Sequence, residues 1–232
     1  MSDVVIIDAV RTPIGRRNGG LSTVHPADLL ATVLSELVDR TGIDPSVVGQ
    51  VVGGCVSQVG EQSFNIARTA WLTAGLPMSV PSTTVDTQCG SSQQATNLAT
   101  ALVAAGVVDV AVACGVESMS RIPIGSNSSR KLGLGVPIPK SYFERYEFTS
   151  QFEGAERIAE KWGVTRADCD EFALASQQRA ARAWEEGRFD RQVVAVEAPD
   201  VDEDGNPTGT THTVTRDEGI RDDSTVDKLA GL

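Results

Sequence analysis

Apolar positions in the first 120 residues alternate between short runs and helical stripes. Residues 4–7 form an apolar run, which predicts a buried strand. Residues 26–40 place apolar side chains at helical spacing and are followed by Gly42, so we predict a helix with a left-handed stop. Further strands are predicted at residues 50–52, 83–85 and 107–113, and further helices at residues 65–74 and 91–105. This alternation predicts a mostly parallel sheet with helices on its faces.

The pattern changes after residue 120. Residues 121–150 are rich in Gly, Pro and Ser without a clear period, which indicates an irregular surface excursion. Two helices are predicted next, one over residues 152–162 and one that Thr165 caps and that runs to about residue 186. A hairpin between residues 193–196 and 212–214 follows. We therefore expect two domains, residues 1–120 and residues 121–232.

The charge balance limits the possible partners. Lys and Arg number 20 against 31 Asp and Glu, for a net charge of -11. Nucleic acid and anionic membrane surfaces are recognised by clustered cations, so neither is expected as a partner. A phosphorylated cofactor remains possible, because a few placed Arg or Lys side chains suffice.

The amino terminus shows no leader pattern, and no window reaches the roughly 20 apolar residues of a membrane span. Four cysteines lie far apart at positions 55, 89, 114 and 169, without a paired motif or the spacing of metal ligands. We expect no metal site and a reducing cytoplasmic compartment.

Cys89 is the candidate for chemistry. A predicted strand leads through a short Gly-containing turn to Cys89, and an uncharged helix that we expect to be buried on all sides begins directly after it. The unpaired amides and the dipole at a helix start favour a thiolate, which is the nucleophilic form of Cys. Because free Cys is also among the most buried residue types, this setting alone leaves a packing role open.

We expect no chemical role for the other cysteines or for either histidine. Cys55 and Cys114 lie beside Gly at strand ends, where packing is the expected role. His25 lies directly before a predicted helix, where we expect it in a capping region at the surface, and His212 lies in a predicted hairpin strand, so neither has the context of a general base. A Cys nucleophile usually works with such a base.

Four segments resemble motifs of the thiolase family and occur in the family's order. The similarity covers the whole chain. The four segments are the opening Val-Ile-Ile-Asp-Ala-Val-Arg-Thr-Pro-Ile-Gly at residues 5–15, the Asn-x-Ala-Arg…Ala-Gly-Leu-Pro stretch within residues 62–77, Cys-Gly-Ser-Ser-Gln-Gln-Ala at residues 89–95 and Gly-Val-Glu-Ser-Met-Ser at residues 115–120. The resemblance implies the amino-terminal half of a thiolase fold, a mixed, mostly parallel sheet with a buried helix, plus an inserted α+β loop domain at residues 121–232 that holds coenzyme A. It also implies assembly as a homodimer or tetramer.

The resemblance assigns roles to individual residues. Cys89 matches the nucleophile that takes the acyl group, and Arg221 matches a position that approaches the adenosine end of coenzyme A. A solvated surface role for Arg221 is equally compatible with its charged loop. Gln151 and Phe152 begin a segment that lies beside the substrate in the family. This segment departs from the common Met-Gly-x-Thr-Ala-Glu and resembles actinobacterial thiolases of steroid side-chain breakdown.

The resemblance implies a coenzyme-A-dependent acyltransferase of lipid β-oxidation. Cys89 would carry the acyl group while a 3-ketoacyl-CoA is cleaved to acetyl-CoA and a shortened acyl-CoA, or while acetyl-CoA is condensed. Coenzyme A is a cosubstrate, and no permanently bound cofactor is implied. The Gly-His-Pro and Cys-x-Gly-Gly-Gly motifs of the family's second half do not occur here, so we expect the chain alone to be an incomplete enzyme. The alternatives are an acyl-CoA- or lipid-binding protein without turnover and, less supported, a cysteine peptidase or redox enzyme.

Overall fold

Three parallel strands form the sheet that the alternating pattern predicts. They are β1 (Gln50–Gly54), β2 (Ser82–Val85) and β3 (Ala111–Gly115), in the order β2-β1-β3. Val51 in the central strand is 0% exposed, as expected for a strand with neighbours on both sides and helices above it. The strand predicted at residues 107–113 corresponds to β3, so its start was predicted four residues too early. The apolar run on which the prediction rests begins in the loop before β3. The mostly parallel α/β arrangement is confirmed.

The structure is a computed structural model that describes residues 3–128, 131 and 133–231, and it contains two compact units. Met1–Asn127 and Arg191–Glu218 form the first unit, and Ser128–Asp190 and Gly219–Leu232 form the second. Leu232, the end of the expected second domain, lies outside the described residues.

The boundary expected at residue 120 differs from this division. The hairpin of β4 (Val196–Val201) and β5 (Pro207–Val214), expected in the second domain, belongs to the first unit. Its buried side chains form an apolar cluster with the loop before the first helix, made of Leu21, Val24, Val196, Ala198 and Val214. This contact joins positions more than 170 residues apart, which the local pattern does not reveal.

Local signals set the ends of the first helix, α1 (Pro26–Thr41). His25 caps it by accepting a hydrogen bond at Nδ1 from the Ala27 N–H at 3.1 Å, and Gly42 ends it with φ 62°. The cap and the left-handed stop are confirmed. Together with α2 (Ile66–Thr73), this helix packs an apolar core whose fully buried centre is Trp71.

The third helix, α3 (Ser91–Ala104), is buried on one side only. Ser91, Ala95 and Ala99 are buried, and α3 lies against β1 and β3. Gln93, Asn97 and Thr100 on the other side are exposed. The expectation of a helix buried on all sides is therefore wrong for the described residues, because the chain covers this helix with the sheet alone.

The predicted strand at residues 4–7 is also wrong. No strand pairs with these residues in the described part of the chain, and Val5, Ile6 and Ile7 are 75%, 81% and 68% exposed. A strand needs a partner with matching hydrogen bonds, and an apolar run does not supply one. The first pairing occurs at Arg11, whose N–H and C=O bond the Gln192 carbonyl and the Val194 N–H at 2.9 Å each.

The second unit is helical. It contains α4 (Gln151–Trp162), α5 (Arg166–Glu185) and α6 (Val226–Ala230), of which the short α6 was not predicted. Thr165 and Asp168 form a reciprocal capping box at the start of α5, so the predicted cap is confirmed. Residues 121–150 form only short 3-10 turns where they are described, as the irregular pattern indicates.

Among the described residues, no helix has the length and apolar character needed to cross a membrane.

Candidate active site

The carboxyl ends of the three parallel strands meet at one edge of the sheet. Gly54 is in register with Val85 on one side and with Gly115 on the other. The Cys55 N–H donates to the Val85 carbonyl and the Val116 N–H donates to the Gly54 carbonyl, both at 3.1 Å. In open α/β sheets this edge is where ligands bind, because the loops that follow the strands converge there.

Cys89 lies in the turn between β2 and α3 at this edge, and it is exposed. The turn closes with a hydrogen bond from the Gly90 N–H to the Thr87 carbonyl at 3.2 Å. Gly90 is the residue that flanks the helix start and has no side chain to cap it. The first amides of α3 therefore lack a side-chain cap at Gly90, and the positive end of the helix dipole lies next to Cys89.

Two glycines allow α3 to approach the strand ends closely. A Cβ atom on Gly54 would lie 2.4 Å from the Ser92 nitrogen and 2.5 Å from the Ser91 carbonyl carbon. A Cβ atom on Gly115 would lie 2.0 Å from Ser92 Oγ and 2.9 Å from the Gly54 carbonyl oxygen. Because any larger residue would displace the first turn of the helix, these glycines fix the height of that turn above the sheet.

The neighbouring cysteines are poor nucleophiles. Burial raises the pKa of the Cys55 thiol to about 12, with a further contribution from the Glu117 carboxylate. Burial also raises the pKa of the Cys114 thiol to about 12. A thiol reacts through its thiolate, so neither group is ionised near neutral pH. Their packing role agrees with the sequence interpretation, and Cys89 is the exposed thiol at this edge of the sheet.

Glu117 holds the loop that follows β1. Its carboxylate accepts hydrogen bonds from the Val56 N–H at 2.8 Å and the Ser57 N–H at 3.2 Å. It also accepts one from Gln62 Nε2 at 2.8 Å, and the Gln62 oxygen in turn accepts the Ser118 N–H at 2.8 Å. Gln62 is 0% exposed, so this network is an internal brace between the loops after β1 and β3.

Asn65 connects α2 with the strand that leads to Cys89. Its Oδ1 accepts hydrogen bonds from the Arg68 N–H at 3.2 Å and from Thr84 Oγ1 at 2.8 Å. Its Nδ2 donates to the Ser82 carbonyl at 2.7 Å. The Asn-x-Ala-Arg segment thereby fixes both ends of β2 relative to α2.

Both histidines form hydrogen bonds that stabilise the fold. His25 accepts the cap hydrogen bond of α1. His212 contacts Asp200 Oδ1 through Nδ1 at 2.6 Å and the Gly20 carbonyl through Nε2 at 3.0 Å. Asp200 raises the pKa of His212, and the Gly20 carbonyl adds to the effect. These contacts support the sequence interpretation that neither histidine is placed as a base.

The remaining candidate residues lie in the second unit. Gln151 and Phe152 begin α4, and both are exposed, with Phe152 at 76%. Arg221 is exposed in the loop before α6, and its N–H donates to Gln177 Oε1 of α5 at 2.7 Å. The structure therefore places these three residues in one unit and Cys89 in the other.

The sequence did not indicate a role for five residues around the site, namely Ser91, Glu117, Gln62, Gly54 and Gly115. Glu117 and Gln62 stood inside the family-like segments, but their hydrogen bonds join loops about 55 residues apart. A charged residue shortly after an apolar strand was the available signal for Glu117. Within the described residues, no cluster of His, Cys, Asp and Glu has a geometry that could hold a metal ion.

The chain is similar to known proteins in both sequence and structure. Residues 4–232 match the family described as "Thiolase, N-terminal domain". The steroid 3-ketoacyl-CoA thiolase FadA6 of Mycobacterium tuberculosis is 42% identical over 238 residues, which cover 100% of this chain and 56% of that protein. The beta-ketoadipyl-CoA thiolase of Pseudomonas aeruginosa is 40% identical, with 99% of this chain and 59% of that protein covered.

The solved structures give the same result. The crystal structure of the Bacillus anthracis acetyl-CoA acetyltransferase superposes with a TM-score of 0.82 at 36% identity, over 98% of this chain and 57% of that one. The chain thus spans between 56% and 59% of the length of these relatives. With a family match over nearly every residue and the Cys89 turn at the expected edge of the expected sheet, the chain belongs to the thiolase family, to its amino-terminal domain.

Proposed function

We propose that this protein transfers acyl groups between coenzyme A thioesters, with Cys89 as the nucleophile. The observation that carries the proposal is the contrast between thiols at one sheet edge: Cys89 is exposed beside a helix start, while burial raises the pKa of Cys55 and Cys114 to about 12. Membership of the thiolase family supports the same assignment.

The chemistry follows from a thiolate and a thioester. In the cleavage direction, the Cys89 sulfur attacks the 3-keto carbonyl of a 3-ketoacyl-CoA, and the bond between C2 and C3 breaks. The electron pair stays on C2 of the departing acetyl-CoA, which takes up a proton. The thiol of a second coenzyme A then loses its proton and attacks the acyl carbonyl, and the bond to Cys89 breaks to return the thiolate. Condensation is the same sequence reversed.

Coenzyme A acts as cosubstrate in this proposal, and no permanently bound group is required. Arg221 is the candidate contact for the adenosine end, and Gln151 and Phe152 are the candidate contacts for the acyl part. All three side chains are exposed and belong to the second unit, so they are available to a ligand there. The relatives include a steroid 3-ketoacyl-CoA thiolase, which supports a 3-ketoacyl-CoA as the substrate class.

Cleavage of the bond between C2 and C3 also needs an acid and a base. His25 accepts the cap hydrogen bond of α1 at Nδ1, and both ring nitrogens of His212 are held by Asp200 and the Gly20 carbonyl. The family resemblance assigns these roles to second-half motifs that this sequence does not contain. We therefore assign to these residues the acyl-carrying half of the reaction. An acyl-CoA-binding role without transfer is the alternative, and the exposed Cys89 argues against it.

We also propose an oligomeric state and a cellular compartment for this protein. β2 is an edge strand of its sheet in the described residues, and an open edge can pair with the same edge of a second copy. We propose a homodimer or tetramer, which light scattering at micromolar concentration would distinguish from a monomer. The cysteines are free, which fits a reducing compartment such as the cytoplasm.

The test of the nucleophile is isotope exchange. Labelled free coenzyme A is incubated with acetyl-CoA and the 232-residue chain, and label is followed into acetyl-CoA. Exchange needs only an acyl-Cys89 that forms and reverses, so it does not require the acid and base of C–C cleavage. We expect exchange that Cys89→Ala abolishes and Cys169→Ala leaves intact. Exchange that survives Cys89→Ala would overturn the proposal.

A further inference from the structure

The turn that carries Cys89 contains an unusual backbone conformation. Gln88, directly before Cys89, has φ 55°, in the left-handed region that side-chain-bearing residues rarely adopt. Asn18 and Phe64 are the other such non-glycine residues in the described part of the chain. A conformation of this kind persists only where surrounding contacts hold it.

Ser91 supplies contacts on both sides of Gln88. Its hydroxyl donates a hydrogen bond to the Gln88 carbonyl at 2.6 Å and accepts one from the Thr87 N–H at 3.0 Å. Its N–H also donates to the Gln88 carbonyl at 3.0 Å. Ser91 is only 5% exposed, so water does not compete freely for these groups.

The direction of these bonds separates Ser91 from an ordinary core residue. Both bonds of its hydroxyl go to the turn that precedes Cys89, and neither goes to the sheet. The α3 backbone approaches the strands closely at Gly54, and Ala95 and Ala99 are buried further along the helix. Loss of the hydroxyl should therefore release the turn while leaving the helix on the sheet.

We propose that Ser91 is a positioning residue for Cys89, which rests on the nucleophile role proposed above. Its hydroxyl holds Gln88 at positive φ and thereby keeps the exposed Cys89 thiol in the turn directly before the α3 amino terminus. Without the hydroxyl, Gln88 relaxes toward negative φ, and Cys89 leaves the orientation in which its exposed thiol meets an incoming electrophile. The role is specific to the hydroxyl and independent of side-chain size.

The test measures how fast iodoacetamide labels Cys89 relative to Cys169 in the same native sample. Cys169 is also exposed and belongs to the second unit, so it normalises reagent, pH and time. We expect Ser91→Ala to lower the Cys89-to-Cys169 ratio by about tenfold, the scale set by one to two lost hydrogen bonds. Thr100→Ala, an exposed hydroxyl on the same helix, is the matched control and should leave the ratio unchanged.

Two further variants give readouts that a general packing defect would not produce. Glycine adopts positive φ without strain, so Gln88→Gly in the Ser91→Ala background should restore most of the lost labelling. Ser91→Thr and Ser91→Val have nearly the same shape but differ in the hydroxyl, so Thr should retain a ratio about tenfold above that of Val. This pair carries the test if Ser91→Ala does not fold.

The outcomes separate this inference from the proposed function. A wild-type ratio at or below one would remove the nucleophile role and this role with it. A high wild-type ratio with no change in Ser91→Ala, or with equal Thr and Val variants, would overturn the role of Ser91 alone. A loss in Ser91→Ala that Gln88→Gly fails to recover would also overturn it, because the strain at Gln88 would not be the cause.

Discussion

Glu117 and Gln62 are joined by a hydrogen bond of 2.8 Å between the carboxylate and Nε2, which links the segments that follow β3 and β1. The Glu117 carboxylate also accepts the Val56 and Ser57 N–H groups, and the Gln62 oxygen accepts the Ser118 N–H, so the pair connects the loops after β1 and β3 through three further contacts with the backbone. A carboxylate suits this position because every group that points at it is a donor.

Glu117→Gln should therefore destabilise the first unit. An amide keeps one acceptor oxygen but directs an NH2 group toward N–H donors, which leaves at least one buried donor unpaired. We expect a loss of about 1–3 kcal/mol in the free energy of unfolding, measured by urea titration with circular dichroism. Glu203→Gln, at an exposed position of the hairpin turn, is the control and should change stability little. Equal stabilities of the two variants would contradict the brace.

Gly115→Ala should displace the first turn of α3. The added Cβ would fall 2.0 Å from Ser92 Oγ and 2.9 Å from the Gly54 carbonyl oxygen. Overpacking of this kind costs about 1–3 kcal/mol, which a shift in the urea midpoint would report.

Ser92→Ala removes the nearer clashing atom, so in combination with Gly115→Ala it should recover part of that loss. Gly219→Ala is the matched control, because a Cβ there meets nothing within 4 Å. A Gly115→Ala protein as stable as the control would show that the close approach is not required.

Signals that act within a few residues were predicted well. The cap at His25 with the stop at Gly42, and the capping box of Thr165 and Asp168, are written in adjacent positions and follow from the hydrogen bonds that a helix end leaves open. The strand, turn and helix around Cys89 were predicted for the same reason, since they follow each other directly in the sequence.

Pairings between distant segments were not predicted. The apolar run at residues 4–7 has the composition of a strand, but a strand exists only with a partner, and none pairs with it in the described residues. Val214 at the hairpin end packs in one apolar cluster with Leu21. The hairpin therefore belongs to the first unit and not to the expected second domain. The same limit applies to the site, where the Glu117 brace depends on which loops the sheet brings together.

His212 gives a pH prediction. Both ring nitrogens face acceptors, Asp200 Oδ1 and the Gly20 carbonyl, so only the doubly protonated ring donates to both. Hydrogen bonding to Asp200 raises the pKa of His212 above its ordinary value of 6.5. A raised folded-state pKa means that the contribution to stability is complete below pH 6.5 and is lost as the pH rises through the folded-state value. Solvent screening keeps this contribution small.

NMR titration of the imidazole should therefore place the His212 midpoint above 6.5, and Asp200→Asn should lower it. Thr210→Val is a suitable comparison, because the Thr210 hydroxyl bonds the other oxygen of Asp200 and leaves the His212 contact in place. A midpoint that Asp200→Asn does not move would show that this ion pair is absent in solution.

The most direct test of the account is the location of the acyl group after the 232-residue chain is treated with an acyl-CoA. The native protein is incubated with acetyl-CoA or a 3-ketoacyl-CoA, quenched in acid to preserve thioesters, digested and mapped by mass spectrometry over all four cysteines. We predict an acyl thioester on Cys89, with Cys55, Cys114 and Cys169 unmodified. Acylation spread evenly over Cys89 and Cys169, or a chain with no acyl group on Cys89, would contradict it.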